Sequence, residues 1–208
     1  MPINQKQSWS KSETKVFWGE IAPCEHVVQI YDDNEVFLDT LARYVGDGIN
    51  SGDGIILIAR TAHLEALKSR LQAHAINVES LIAQHQYIAL DAEETLSKFM
   101  VNGWPDEDKF ITVITEVLRK AKSRNKRIRA FGEMVAILWE QGHYGATVNL
   151  EHLWNSFLEK ETLSLFCAYP RSGFTQNAGE SMVHICSHHS IMIDGNKSSA
   201  EILYQMVD

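Results

Sequence analysis

The sequence predicts a single α/β domain: a mostly parallel sheet of about five or more strands with helices on both faces. Three observations predict it. Short β-branched segments alternate with longer segments of helical periodicity, the pattern that β–α–β crossovers leave in a sequence. Two of the short segments, Ile55-Ile-Leu-Ile-Ala59 and Leu163-Ser-Leu-Phe-Cys-Ala168, are near-continuous apolar runs, as strands buried on both faces require. The 208 residues are 45% hydrophobic and 22% charged, ordinary values for one globular domain.

The elements follow in order. Residues 1–21 read as an N-terminal arm rich in Gln, Ser and Lys, with Trp9, Phe17 and Trp18 embedded. The domain spans residues 22–190. His26-Val-Val-Gln-Ile-Tyr31 is the first strand, and Asp32-Asp33-Asn34 reads as a turn and helix cap. Phe37, Leu38, Leu41, Val45 and Ile49 share one helical face, which Gly52-Asp53-Gly54 ends. The cycle then repeats. Ile55–Ala59 is a buried strand, and Leu64, Leu67 and Leu71 mark an amphipathic helix. Tyr87–Leu90 is the third strand, followed by a helix over Glu93–Met100. Asn102-Gly103-Trp104-Pro105 is a turn. Phe110, Ile111, Ile114, Val117, Leu118 and Ala121 line a long helix before a fourth strand, Ile128–Phe131. Ala146, Leu150, Leu153, Trp154, Phe157 and Leu158 line another, before a fifth strand, Leu163–Tyr169. A last helical segment is expected over about 174–190, and 191–208 reads as a C-terminal tail.

Charge and composition exclude several function classes. Lys and Arg number 19 against 27 Asp and Glu, a net charge of −8. So acidic a chain lacks the basic stripe that supplies most nucleic-acid affinity and the polybasic segment that holds proteins on anionic lipid. The longest apolar run, Ile55–Ala59, is far below the roughly 20 residues needed to cross a bilayer. The three cysteines, Cys24, Cys167 and Cys186, are too few and odd in number for a disulfide framework and fit a reducing cytoplasm.

Ligands of open α/β sheets bind beyond the carboxyl ends of the strands. That rule selects Tyr31, Asp32, Arg60, Asp91, Glu133 and Tyr169. Nucleotide chemistry is disfavoured there. A phosphate-binding loop needs glycines and a lysine after a strand, whereas the turn after the first strand reads Asp32-Asp33-Asn34-Glu35 and brings three carboxylates instead. Arg127 and Arg129, two apart on a strand, fall on one face and require buried partners, for which Glu133, Glu151 and Asp91 are the candidates. Glu151 lies at the border of the core face that Leu150, Leu153 and Trp154 define.

Nine histidines raise the question of a metal. His184 and His188 are four apart, with Cys186 and His189 close by, and Cys24 and His26 form a C-x-H pair. The C-x-x-C spacing of a structural zinc site is absent, so no cofactor is expected and His26, His184 and His188 stand only as weak metal candidates. Cys167, inside a strand, reads as a small core residue. No catalytic set appears: there is no G-x-S-x-G elbow, and neither Ser164 nor Ser172 has a motif around it.

Several strings taken together carry a family resemblance. They are His26–Tyr31, Gly54-Ile-Ile-Leu-Ile-Ala59, Arg129-Ala-Phe-Gly-Glu-Met134 with Trp139, Leu150-Glu-His-Leu-Trp-Asn155 and Leu165-Phe-Cys-Ala-Tyr-Pro170. The pattern resembles the MEDS domain, the methanogen/methylotroph DcmR-type sensory domain, over about residues 23–175. The resemblance implies a RecA/KaiC-like core that has lost its phosphate-binding loop. It also implies sensing of small molecules, hydrocarbon derivatives among them, on behalf of transcription factors or histidine kinases. It transfers no binding residue.

The sequence is therefore read as a non-enzymatic sensory module that binds a small molecule and regulates a partner in trans, a histidine kinase or a transcription factor. Tyr31, Arg129, Glu133, Trp139, Glu151 and Tyr169 are expected around the ligand. Arg129 would orient an anionic or polar group, Glu133 would fix Arg129 or accept a bond, and the aromatics would supply apolar contact. The alternative is a metal- or haem-linked redox sensor or enzyme built on His26, His184, His188 and the cysteines. A third reading is an interaction module that forms a homodimer through the N-terminal aromatics and the last helix.

Overall fold

Strand–helix alternation folds into a six-stranded sheet because each crossover returns the chain to the same edge-to-edge direction, making every pairing parallel. In the computed structural model the described residues are 25–122, 127–174, 185, 187 and 189–194. Their elements are β1 (His26–Tyr31), α1 (Asn34–Asn50), β2 (Gly54–Ala59), α2 (Thr61–Ala73), α3 (Val78–Ala83), β3 (Tyr87–Asp91), α4 (Ala92–Ser97), β4 (Met100–Val101), β5 (Trp104–Pro105), α5 (Glu107–Lys122), β6 (Ile128–Gly132), α6 (Met134–Glu140), α7 (Tyr144–Leu158), β7 (Ser164–Pro170) and β8 (Ile191–Asp194). The sheet order is β3-β2-β6-β7-β1-β8.

Alternating strand side chains feed two cores. Ile55, Leu57, Phe131 and Phe166 pack under α1, α2 and α3. Ile56, Ile58, Ala130, Leu165 and Tyr169 pack under α4, α5, α6 and α7. Caps place the helix starts. Asp33 accepts the Glu35 N–H at 2.7 Å at the head of α1, and Asp91 accepts the Glu94 N–H at 2.9 Å at the head of α4.

Three segments differ from the sequence reading. The helix expected over Glu93–Met100 stops at Ser97, because Met100 pairs with Pro105 in the β4–β5 hairpin. Its two-residue turn needs positive φ at both positions, and Asn102 (50°) and Gly103 (82°) supply it. Between β6 and α7 lies α6, which the sequence reading does not separate from its neighbours: Met134–Trp139 is buried all round and shows no amphipathic period. Ile191–Asp194, assigned to the tail, forms β8 and extends the sheet beside β1 with Val27 opposite Ile191. The segments 1–24 and 195–208, most of 174–190, and with them His184 and His188, lie outside the described residues.

The arginines of β6 also find a different partner. Arg127 Nε and Arg129 Nε donate to the two oxygens of Asp53 at 3.0 and 2.8 Å. Glu133, Glu151 and Asp91 are not involved. The reason is register: Gly54 of β2 lies opposite Ile128 of β6, so Asp53 arrives at the amino end of β6, where both arginines are. Arg129 also donates to the Tyr44 carbonyl at 3.3 Å and lies over the Tyr44 ring. The Tyr44 hydroxyl in turn donates to the Ser164 carbonyl at 3.0 Å. Arg129 and Asp53 are both buried, so Asp53→Ala would leave an uncompensated guanidinium. The expected loss is about 3–5 kcal/mol of stability, read as a lower urea midpoint with an unchanged slope.

Candidate functional site

Two polar clusters stand out, one at the carboxyl end of the sheet and one inside the core. The first is centred on Glu133, between β6 and α6, whose own N–H donates to the Ile58 carbonyl at 2.9 Å. Its buried carboxylate accepts the Arg60 N–H at 2.8 Å, the Arg60 guanidinium at 3.3 Å and His63 Nδ1 at 2.9 Å. Arg60 also pairs with Glu140. Tyr31 stacks on Phe37 with ring centroids 4.7 Å apart, and Phe37 meets His63 edge-on. Burial, reinforced by the charges of Glu133 and Glu140, pushes the Tyr31 phenol up and keeps it protonated. Asp32 pairs with Arg171 at 3.3 Å, and Asp91 accepts from the Thr61 hydroxyl at 2.8 Å.

The second cluster lies between α7 and strands β1 and β7. Glu151 is 0% exposed, and the Tyr169 hydroxyl donates to its Oε1. Burial raises the Glu151 carboxyl to about 8, against the opposing pull of that hydrogen bond. His26 Nε2 lies 3.6 Å from Glu151 Oε2 and 3.4 Å from Cys167 Sγ. His189 Nε2 lies 3.7 Å from Glu151 Oε1. The two imidazoles face each other with centroids 4.0 Å apart. Each has its other nitrogen engaged: His26 Nδ1 is 2.7 Å from Asn155 Oδ1, and His189 Nδ1 is 2.7 Å from the Ile185 carbonyl. Burial, then the Glu151 charge, pushes the Cys167 thiol up.

Tyr169 joins this cluster to an aromatic group. Its ring meets Trp139 edge-on at 6.4 Å, and Trp139 packs on Phe174 and Tyr144. Trp139 Nε1 donates to the Gly173 carbonyl at 2.7 Å. Gly173 permits the approach, since an added Cβ would lie 2.9 Å from Trp139 Cδ1.

The six residues nominated for a ligand therefore fall in three places. Tyr31 and Glu133 meet at the carboxyl end. Trp139, Glu151 and Tyr169 meet inside the domain. Arg129 sits at the amino end on Asp53, so Glu133 holds Arg60 and not Arg129. Of the weak metal candidates, His26 joins the interior cluster. His63, Glu140, His189 and Asn155 were not nominated, and Cys167 entered only with the other cysteines of the redox alternative. A signal for part of the set was available: His26, Cys167 and Glu151 are each polar or ionisable at positions where the local pattern calls for an apolar side chain.

The fold and these sites first define a class, a parallel α/β domain similar in fold to KaiC-like proteins, with acidic residues in place of a phosphate-binding loop after its first strand. Solved structures agree with the fold. A KaiC-like protein from Pyrococcus horikoshii OT3 matches at TM-score 0.57 and 12% identity, covering 88% of this chain and 80% of that one. A second Pyrococcus horikoshii OT3 protein matches at TM-score 0.57 and 9% identity, over 90% and 89%. The flagellar accessory protein FlaH of Methanocaldococcus jannaschii matches at TM-score 0.53 and 9% identity, over 84% and 72%. No curated protein matches the chain. The family profile described as "MEthanogen/methylotroph, DcmR Sensory domain" matches residues 25–190, and the chain belongs to this MEDS family. No helix among the described residues is long and apolar enough to cross a membrane.

Burial of Glu151 has a measurable consequence. With a folded value of about 8 against 4.5 when free, the folded state retains a proton that the unfolded state releases as pH rises through the lower value. Stability therefore falls between about pH 4.5 and 8 and levels off above. Glu151→Gln cannot lose that proton. In chelator-containing buffer its urea stability is expected to exceed that of the wild type progressively across this window, by a few kcal/mol at the alkaline end.

Proposed function

We propose that this chain is a non-catalytic sensory module that takes a small molecule at the carboxyl end of its sheet and reports occupancy to a signalling partner, a histidine kinase or a transcription factor. The observation that supports this reading best is the Glu133 cluster. It occupies the position where open α/β sheets receive ligands, and it is built from shared, competing contacts. Glu133 divides its two oxygens among the Arg60 backbone, the Arg60 guanidinium and His63, while Arg60 is divided between Glu133 and Glu140. A ligand that offers a hydrogen-bond donor or a cationic group to Glu133 displaces Arg60 toward Glu140. Arg60 immediately precedes α2, so that exchange moves the head of a helix on the outside of the domain. A contact that exists in one state and not in the other is what a sensor needs.

The same end of the sheet argues against nucleotides. The N-terminus of α1 is where a phosphate would be cradled, and there the Asp33 carboxylate accepts the Glu35 N–H. Asp32 and Glu35 add further negative charge beside it. A polyphosphate would meet repulsion in place of a lysine and glycine-rich loop.

Two measurements test the reading. Magnesium-ATP is expected to leave the melting temperature of the protein unchanged and to release no phosphate; stoichiometric ATP binding would overturn it. Small molecules retained through purification, identified by mass spectrometry after denaturation, are expected to be lost from an Arg60→Ala, Glu133→Gln double variant. Equal retention by that variant would remove the Glu133 cluster from the site.

A further inference from the structure

Outside the carboxyl-end cluster, the densest set of metal-ligating side chains among the described residues is His26, Glu151, Cys167 and His189. All four are buried, and one ligand atom from each lies within 4.8 Å of all the others. We propose that these four residues form a closed, tetrahedral binding site for a divalent transition-metal ion of the zinc type. The inference is independent of the Glu133 reading: it uses different residues on the opposite face of the sheet.

The first support is geometric. Ligand bonds of 2.0–2.3 Å place the corners of a tetrahedron about 3.3–3.8 Å apart. With Glu151 Oε2 as the ligand oxygen, two of the edges already have this spacing: His26 Nε2 to Cys167 Sγ at 3.4 Å and His26 Nε2 to Glu151 Oε2 at 3.6 Å; His189 Nε2 lies 3.7 Å from the other oxygen of the same carboxylate, Oε1. The ion requires only that the remaining separations close by about an ångström, which is within side-chain torsional freedom.

The second support is the shell behind the ligands. A metal-bound histidine normally donates its other ring N–H to a carbonyl or carboxylate, which fixes the tautomer. Both histidines are arranged in this way. His26 Nδ1 faces Asn155 Oδ1 and His189 Nδ1 faces the Ile185 carbonyl, and neither acceptor can donate through that oxygen. Both Nε2 atoms are thereby turned toward the cluster as lone-pair donors. Glu151 is oriented in its turn by the Tyr169 hydroxyl on Oε1, and its fully buried Oε2 accepts no hydrogen bond among the described residues. A buried carboxyl oxygen without a hydrogen-bond partner is costly, and a cation answers it.

The third support is charge. Two neutral imidazoles, one thiolate and one carboxylate neutralise a dication, so the ion enters the core without leaving net buried charge. On binding, the Cys167 thiol proton, any proton held by Glu151 and the waters of the ion pass to solvent, while sulfur, oxygen and two nitrogens take the coordination positions. The sulfur and imidazole donors select zinc, cobalt or related ions over magnesium and calcium. With four protein ligands there is no open position for substrate, so the site is structural or regulatory and not hydrolytic.

The ligands come from four separate elements. His26 opens β1, Glu151 is on α7, Cys167 is in β7, and His189 lies two residues before β8. The Ser190 N–H already donates to the His26 carbonyl at 2.8 Å. An ion at this point would pin the last strand of the sheet to its centre, and its loss would loosen that strand.

The test is cobalt(II) titration of chelator-stripped, full-length protein under reducing conditions. One equivalent is expected to produce the intense visible bands of tetrahedral cobalt and a thiolate-to-cobalt charge-transfer band, with a rise in melting temperature. Zinc should displace the colour. Cys167→Ser should lose the charge-transfer band, and Asn155→Ala should bind cobalt about 10–100-fold more weakly, the usual cost of removing a partner behind a ligand. X-ray absorption of the zinc-loaded wild type provides a readout that needs no variant: one sulfur and three nitrogen or oxygen neighbours. A wild-type protein that develops no cobalt bands overturns the site. So does a zinc shell without sulfur or with more than one, and so does a charge-transfer band that survives in folded Cys167→Ser.

Discussion

The parallel pairing of β1 with β7 is the constraint on which the interior of this domain depends. The register sets His26 opposite Leu165, Val28 opposite Cys167 and Ile30 opposite Tyr169. Because side chains alternate, those six project to one face, beneath α7. Three of them are polar. Moving the register by one residue would turn one strand over against the other, taking either His26 or the pair Cys167 and Tyr169 to the α1 side and breaking up the set around Glu151. One pairing therefore decides both that the sheet closes and that a buried acid finds its phenol, imidazoles and thiol.

Such an interior is costly to build. An apolar set of the same volume would pack at least as well, and buried polar groups are retained in proteins where they supply something that packing cannot. At the amino end of the sheet the requirement is structural. Asp53 pairs with two arginines, one on each oxygen, and ties the start of β2 to β6. At the carboxyl end and under α7 the arrangement differs: Glu133 receives several competing donors, whereas Glu151 receives one, from Tyr169, with two imidazoles beside it. The buried charge of this fold thus divides into one saturated pair and two clusters whose partners can be exchanged.

Much of the architecture was legible in the sequence, and for definite reasons. All five strands expected between His26 and Tyr169 are present; four of them are buried on both faces and leave apolar runs that no amphipathic helix produces, and β3, at the sheet edge, is the exception. The parallel sheet covered on both faces follows from the spacing between them. α6 was hidden because a helix buried all round has no polar face to show its period. β8 was hidden because four residues following a long crossover offer too short a pattern. The site residues were harder. Tyr31 and Glu133 could be located by the rule that strand ends carry function. Arg129 was misplaced because adjacency in sequence to Glu133 says nothing about which end of a strand a side chain reaches. The meeting of residues 26, 151, 167 and 189 is a long-range fact. Each is visible singly as a polar interruption, but only the register of β1 on β7 and the return of the chain to β8 bring them together.

Tyr169 holds Glu151 with its hydroxyl and touches Trp139 and Phe174 with its ring. The consequence is mechanical. A phenol ring is a stiff plate, so the seat of its oxygen and the seat of its edges are set together. The engagement of Glu151 and the packing of the aromatic stack around Trp139 thereby share one side chain. That stack is joined through Trp139 Nε1 to Gly173, in the turn where the chain leaves the sheet. One continuous line of contacts thus runs from the buried acid to the exit of β7.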